Sequence, residues 1–132
     1  MKQTKNLTTI LAGAILALFL QTPAFADTDS YNGYLADVLC ATKGKSPAGV
    51  KMFENPEQHR KSCMLMRPCK KSGFGVFVKG EDGKYTYTKF DKKGSKLAEG
   101  LLKETKRKKN MSITVTGKMD GDTLMVSNLS EN

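Results

Sequence analysis

Sulfur-bearing side chains are concentrated in residues 63 to 69, which read CMLMRPC, and the single histidine of the chain, His59, lies four positions before them. Residues of these types suit three kinds of chemistry. Cys63 and Cys69 could close a disulfide, with Pro68 helping the turn. Thiolate, thioether and imidazole groups could bind a soft metal such as copper(I). A pair of thiols could also exchange with other disulfides.

A copper site would use the histidine and the nearest sulfur atoms. An imidazole four residues before a cysteine lies on the same side of a helical turn. The candidate metal ligands are therefore His59, Cys63, Cys69, Met64 and Met66. A lone histidine is more often a packed or surface residue, and the chain has no repeated Met-x-x-Met or Cys-x-x-Cys pair. Soft-metal binding is thus the alternative hypothesis rather than the first one.

A disulfide is the first interpretation, because the beginning of the chain predicts export. A short basic segment, MKQTKN, precedes an apolar run from Leu7 to Leu20, and Ala24 and Ala26 are small residues of the kind that signal peptidase requires. We expect residues 1–26 to be a signal peptide cleaved after Ala26. The apolar run is short for a membrane span, so the mature chain, residues 27–132, should lack a transmembrane anchor and be periplasmic or extracellular.

Oxidising surroundings favour bridges between paired cysteines. The chain has three candidates for a disulfide, namely Cys40, Cys63 and Cys69. Any one of the three possible pairings leaves one thiol over, and the sequence does not choose among them. A bridge could stabilise a loop with few apolar residues by about 2 to 4 kcal/mol.

Signatures of catalysis are weak. The sequence has no Cys-x-x-Cys, no haem attachment motif and no G-x-S-x-G elbow. The paired carboxylates, such as Glu81-Asp82, fall in predicted turns. The sequence therefore favours a binding or structural domain without enzymatic activity, whose ligand could be a small molecule, an envelope component or a protein. The alternative is a periplasmic copper-binding or thiol redox protein that uses His59, Cys63 and Cys69.

The charge of the chain is strongly positive, at +9 overall. Much of it lies in one cluster that could bind anions, formed by Lys103, Lys106, Arg107, Lys108 and Lys109. The simpler interpretation is a solvated helix end, where cations also complement the helix dipole. Nucleic acid is an improbable partner for an exported protein, and aromatic residues on strands are more often cross-strand pairs than stacking platforms.

The order of elements predicts one small β-rich domain. Alternating apolar residues, turn signals and an amphipathic stretch predict strands at 33–39, 74–79, 84–90, 111–119 and 122–129, and a helix from Ser95 to about Lys106. Residues 41–73 form a long cysteine-bearing excursion between strands one and two, with one short helix around 56–61. Five strands with a helix between the third and fourth is the element order of the OB-fold, a Greek-key barrel. An open α+β sheet with a packed helix is the alternative.

Three segments resemble a group of small exported bacterial proteins of unassigned activity. They are Asp37-x-x-Cys40, the central motif from His59 through Cys63-Met-Leu-Met-x-Pro-Cys69 to Ser72-Gly-Phe-Gly75, and Val115-Thr-Gly-x-x-Asp120-Gly-Asp-Thr-Leu124. The likeness covers most of residues 31 to 130. It implies a secreted OB-like barrel with a cysteine-bearing loop, and it supplies no reaction.

Overall fold

The structure, a computed structural model, describes residues 28–132. The predicted signal peptide and its cleavage site after Ala26 lie outside these residues. Within them, no helix has the length and apolar character needed to cross a membrane.

Residues 28–132 form five strands, four helices and one 3-10 turn. The strands are β1 (Asp29–Asp37), β2 (Phe74–Lys79), β3 (Tyr85–Phe90), β4 (Ser112–Asp120) and β5 (Thr123–Glu131). The helices are α1 (Val38–Lys43), α2 (Lys61–Met64), α3 (Arg67–Ser72) and α4 (Lys92–Glu104), and the 3-10 turn spans Pro56–Gln58. The predicted β-rich class is confirmed, as is the single helix between the third and fourth strands.

The strands make a mixed five-stranded sheet. β1 pairs antiparallel with both β2 and β4, and β2 pairs antiparallel with β3. β4 and β5 form an antiparallel hairpin, and a short parallel contact joins β3 to β5 at Phe90 and Leu124. Each strand therefore has two hydrogen-bonded neighbours, in the order β1-β2-β3-β5-β4.

The segment between β1 and β2 is more regular than the predicted excursion. It carries α1, the 3-10 turn, α2 and α3, where the sequence predicted one short helix around residues 56–61. β1 ends at Asp37, two residues earlier than predicted, because the Asp37 carboxylate caps α1 by accepting a hydrogen bond from the Cys40 N–H. Asp is a favoured capping residue for this reason.

Two apolar clusters lie on opposite faces of β1, since successive side chains of a strand alternate between faces. Leu35 belongs to the main core, where Val76, Ile113 and Leu124 of other strands also pack. The adjacent Ala36 belongs to a second cluster. The remaining members of the second cluster are Cys40, Ala41, Met52, Cys69 and Phe77. The segment between β1 and β2 therefore covers a sheet face that would otherwise be exposed.

α4 begins three residues before the predicted start. Asp91 caps it, accepting a hydrogen bond from the Gly94 N–H at 2.9 Å, whereas the Ser95 hydroxyl accepts one from the Phe74 N–H. The predicted start at Ser95 was wrong, because Asp91 caps the helix and the Ser95 oxygen bonds to β2 instead. Ala98 and Leu102 are fully buried on the inner face, while Leu97 is 40% exposed.

Candidate functional site

The site begins where β1 passes into α1. Asp37 has an extended backbone conformation, as a capping residue should, and its Oδ2 lies 2.9 Å from the Cys40 nitrogen. Gly44 ends the helix in the left-handed region, at φ 71°, where a side chain would be disfavoured. The two caps confine α1 to six residues and hold Cys40 beside Asp37.

α3 brings the second thiol to the same place. The Ser72 hydroxyl accepts a hydrogen bond from the Leu39 N–H at 3.0 Å and donates one to the Cys69 carbonyl at 2.6 Å. The Val38 N–H donates to the Gly73 carbonyl at 2.9 Å. Ser72 thus bridges the helix that carries Cys40 and the helix that carries Cys69.

Asp37, Cys40 and Cys69 form a compact buried group, which we call the thiol–carboxylate cluster. A carboxylate oxygen and the two sulfur atoms all lie within 4.8 Å of one another. Asp37 is fully buried, and each cysteine is 2% exposed. The cluster therefore presents three potential ligand atoms in a water-poor interior.

The expected disulfide is not formed in the structure. Within residues 28–132 the three cysteines are free thiols. Of the three pairings that the sequence left open, Cys40 with Cys69 is the one whose thiols share the cluster. Cys63 is buried on α2, outside the cluster. Packing in the second apolar cluster and the helix caps contribute to the order of this segment.

His59 supports the cluster through Asp37. Its Nε2 lies 2.7 Å from Asp37 Oδ1, and both side chains are fully buried. The 3-10 turn positions the imidazole, since the His59 N–H donates to the Pro56 carbonyl. Nε2 needs a hydrogen in order to donate to the carboxylate. The other ring nitrogen, Nδ1, is buried and has no hydrogen-bond partner in the part of the chain that the structure describes.

The electrostatics of the cluster keep the carboxyl ionised and the thiols protonated. Burial alone would raise the pKa of Asp37, but hydrogen bonds from His59 and the Cys40 N–H, together with the charge of His59, leave this pKa below its usual value. Burial first, and then the nearby Asp37 charge, raise the pKa of Cys40 and of Cys69. Neither sulfur is thus primed as a thiolate nucleophile at neutral pH, which argues against thiol redox catalysis.

The other candidate ligands lie elsewhere. Met64 is fully buried in the main core, against a different set of residues from the second cluster that holds Cys40 and Cys69. Met66 is 46% exposed at the start of α3. Of the five ligands named from sequence, the structure brings Cys69 into the cluster and His59 against it.

A pocket of about 420 Å³ lies beside the two thiols of the cluster. Cys40 and Cys69 form part of its lining, with Lys43 and Lys45 beside them. Both thiols therefore border a pocket although little of either is exposed.

Part of the lysine-rich cluster is ion-paired within the domain. Lys103 is paired with Glu99 at 2.9 Å, and the Arg107 guanidinium is paired with Glu131 at 2.9 Å. Lys108 and Lys109 face a different pocket, which they share with Arg60. Ion pairs within the domain therefore neutralise part of the positive charge of residues 103–109.

The sequence analysis noted the motif Asp37-x-x-Cys40 but did not predict that Asp37 belongs to the site. The available signal was the capping pattern, in which an aspartate precedes a short helix that ends at Gly44. The contact with His59, which is 22 positions away, has no local signal.

The fold and the site together define a small β-sheet domain that buries two thiols against a histidine-bound carboxylate. No family model, no curated protein and no solved structure matches this chain.

Proposed function

We propose that this protein is an exported, non-enzymatic domain that binds a thiophilic metal ion at the thiol–carboxylate cluster. One observation carries the proposal: the sulfur atoms of Cys40 and Cys69 and a carboxylate oxygen of Asp37 lie within 4.8 Å of one another in the interior. Thiolates and carboxylates are the groups through which proteins hold zinc, and thiolates also select copper(I).

The dimensions of the cluster suit such an ion after a small contraction. Zinc–sulfur bonds are about 2.3 Å long, so ligand atoms around a tetrahedral ion lie roughly 3.8 Å apart. Closing the cluster from 4.8 Å needs a movement on the order of 1 Å. Side-chain rotation at Cys40 and Cys69 can supply it.

The charges favour a divalent ion. Two thiolates and the Asp37 carboxylate carry three negative charges, and uncompensated charge in a protein interior is strongly unfavourable. A divalent cation neutralises more of this charge than copper(I) does. Metal binding would also release the two thiol protons that the cluster otherwise holds tightly. Zinc(II) is therefore the first ion to test, with copper(I) as the competitor.

His59 has the position of a supporting residue. Groups that hydrogen-bond to a metal ligand fix its orientation, and their removal commonly lowers metal affinity by about 10- to 100-fold. The hydrogen bond from His59 Nε2 holds Asp37 Oδ1 in this way. The unpartnered Nδ1 is a further nitrogen that a small rearrangement could bring to the ion.

The test is metal stoichiometry by native mass spectrometry of the reduced mature chain with zinc(II) or copper(I), together with competition against a coloured chelator. We expect one ion per chain, lost in Cys40→Ser and in Cys69→Ser. Cys63→Ser is the matched control, because Cys63 is also buried but lies outside the cluster. Retention of the ion by both cluster variants, or its loss only in the control, would refute the assignment. Circular dichroism checks that each variant folds.

Export and the OB-like barrel are part of the proposal. The basic and apolar beginning of the sequence supports export, and the mass of the protein recovered from culture should correspond to a chain that starts at Asp27. The strand order β1-β2-β3-β5-β4, with β1 also paired to β4, supports an OB-like barrel. An experimental structure in which β1 and β4 are separated would refute the barrel.

A disulfide between Cys40 and Cys69 is the second candidate role, favoured by their proximity in the cluster. Two thiols and a small disulfide oxidant would give the protein disulfide and two reduced thiols. Treatment with oxidised glutathione should then give a chain about 2 Da lighter, with a bridged peptide pair that contains both residues. If a bridge forms instead between Cys63 and either of the other cysteines, this candidate is wrong.

A further inference from the structure

A second pocket, of about 550 Å³, lies away from the thiol–carboxylate cluster. Its lining consists of Arg60, Lys61, Ser62, Lys108 and Lys109. Four of these five residues are cationic and the fifth carries a hydroxyl. Among the described residues, neither a carboxylate nor an aromatic ring lines this pocket, which we call the basic pocket.

Two segments of the chain are fixed against each other to make the basic pocket. The Lys61 N–H donates to the Lys108 carbonyl at 2.8 Å, and the Asn110 N–H donates to the Glu57 carbonyl at 2.8 Å. Asn110 has a φ of 59°, in the left-handed region that asparagine tolerates better than most residues. The bonds on both sides of residues 108–109 make the pocket a feature of the fold rather than a chance encounter of side chains.

Two of the four cations of the basic pocket are held in place by side-chain hydrogen bonds without being neutralised. Lys61 Nζ donates to the Thr105 carbonyl at 2.8 Å, and Lys109 Nζ donates to Gln58 Oε1 at 3.2 Å. Both acceptors are uncharged. Within residues 28–132, none of the four cationic residues of the pocket is paired with a carboxylate. Lys103 and Arg107, which are near in sequence, each have an acidic partner.

We propose that the basic pocket binds the phosphate group of a small anionic ligand. A multivalent oxyanion would relieve the mutual repulsion of the four cations. The Arg60 guanidinium can donate to two phosphate oxygens at once, lysines supply point charges, and the Ser62 hydroxyl adds a donor. The pocket volume falls in the range of about 300 to 1,000 Å³ that is usual for small-molecule sites.

The residues that line the basic pocket also favour a small phosphate ligand over nucleic acid. Proteins that bind single strands combine a basic groove with aromatic rings on which bases stack. The basic pocket offers charge and hydrogen-bond donors but no ring, so it recognises the phosphate and not a base. The phosphate could belong to a soluble phosphorylated compound or to the headgroup of an anionic lipid.

The experiment is titration of the reduced mature chain with pyrophosphate, followed by calorimetry and by amide chemical shifts. We expect saturable binding that weakens as salt rises. Lys108→Gln/Lys109→Gln should weaken it about tenfold or more, because hydrogen bonds to charged groups are lost. Lys103→Gln/Lys106→Gln removes the same charge from the same stretch of sequence and should change the affinity by less than about twofold.

Cosedimentation with phosphatidylglycerol vesicles, compared with phosphatidylcholine vesicles, distinguishes the two sources of phosphate. Vesicle association lost in Lys108→Gln/Lys109→Gln supports the proposal with a lipid headgroup as the ligand, and pyrophosphate binding without vesicle association supports it with a soluble one. Equal weakening in the two double variants would show a response to net charge and overturn the proposal. So would binding to neither probe, or binding to an oligonucleotide but not to pyrophosphate.

Discussion

The buried contact between Asp37 and His59 should couple the two side chains strongly, and a double-mutant cycle measures that coupling. The single variants are Asp37→Asn and His59→Leu, and the third variant combines them. The native contact is 2.7 Å long, and both side chains are fully buried. Asparagine keeps a capping oxygen for the Cys40 N–H, so the first variant weakens the contact with His59 while preserving α1.

The expected sizes follow from burial. His59→Leu leaves the Asp37 carboxylate buried without its partner, and breaking a buried pair in this way typically costs about 3 to 5 kcal/mol. In Asp37→Asn, one amide oxygen cannot satisfy both the Cys40 N–H and His59 Nε2, so one buried donor is left unsatisfied at a cost of about 1 to 3 kcal/mol. The double variant removes both members and should cost about 1 to 3 kcal/mol less than the sum of the single variants.

The assay is urea unfolding followed by far-ultraviolet circular dichroism, with a phosphine reductant and a chelator present so that neither oxidation nor bound metal contributes to stability. A surface pair provides the control. Lys51 and Glu54 lie 3.4 Å apart with side chains that are 67% and 62% exposed. The corresponding cycle at these residues should show coupling of at most about 0.5 kcal/mol.

The reasoning fails if the Asp37–His59 coupling is no larger than that of the surface pair. Such a result would mean that water reaches the carboxylate in solution and that the interior position of Asp37 is not maintained. The thiol–carboxylate cluster would then lose the feature that distinguishes it from an exposed group of polar residues.

Two further predictions concern two glycines and the buried Tyr87. Gly75→Ala should destabilise the protein by roughly 1 to 3 kcal/mol, because an added Cβ would overlap the Thr88 carbonyl and the Tyr87 ring. Gly100 occupies an exposed position of α4 where an added Cβ meets no neighbour, so Gly100→Ala should stabilise the protein by about 0.5 to 1 kcal/mol. Similar urea midpoints for the two variants would contradict this reasoning. Burial first, and then the charges of the cluster, raise the pKa of Tyr87, whose hydroxyl donates to the Ala36 carbonyl at 3.0 Å. The folded state holds this proton more tightly, so the contribution of Tyr87 to stability is complete below the ordinary pKa of 10.0 and is lost as pH rises above it. One tyrosine should therefore ionise only on alkaline unfolding, which gives an absorbance step near 295 nm. This step should disappear in Tyr87→Phe, and a step that persists would count against the assignment.

The sequence predicted the sheet better than the segment that covers it. The hairpin of β2 and β3 and that of β4 and β5 have local signals, namely alternating apolar residues around turns that contain Gly83 and Gly121. The helices α1, α2 and α3 are four to six residues long, and helices so short depend on tertiary packing rather than on propensity. Their positions could not be read from local pattern.

The site shows the same division between local and distant signals. Cys69 and His59 were named because their residue types suggest chemistry. The pairing of Cys69 with Cys40 depends on how α3 packs against α1, which Ser72 fixes by bonding to both. The sequence left the pairing of the three cysteines open, and the structure places Cys63 on α2, outside the cluster that Cys40 and Cys69 share.

The buried Asp37–His59 contact can be explained either by stability or by function. Met52 and Phe77 already pack the covering segment onto the sheet, so apolar side chains could fill the same space. Replacing both partners of a buried polar contact with well-packed apolar residues is often neutral or stabilising, so the contact is a weak explanation for stability. It does hold a carboxylate in a fixed orientation against two thiols, which apolar residues could not do. This fixed arrangement of a carboxylate beside two thiols supports the proposal that the cluster binds a cation.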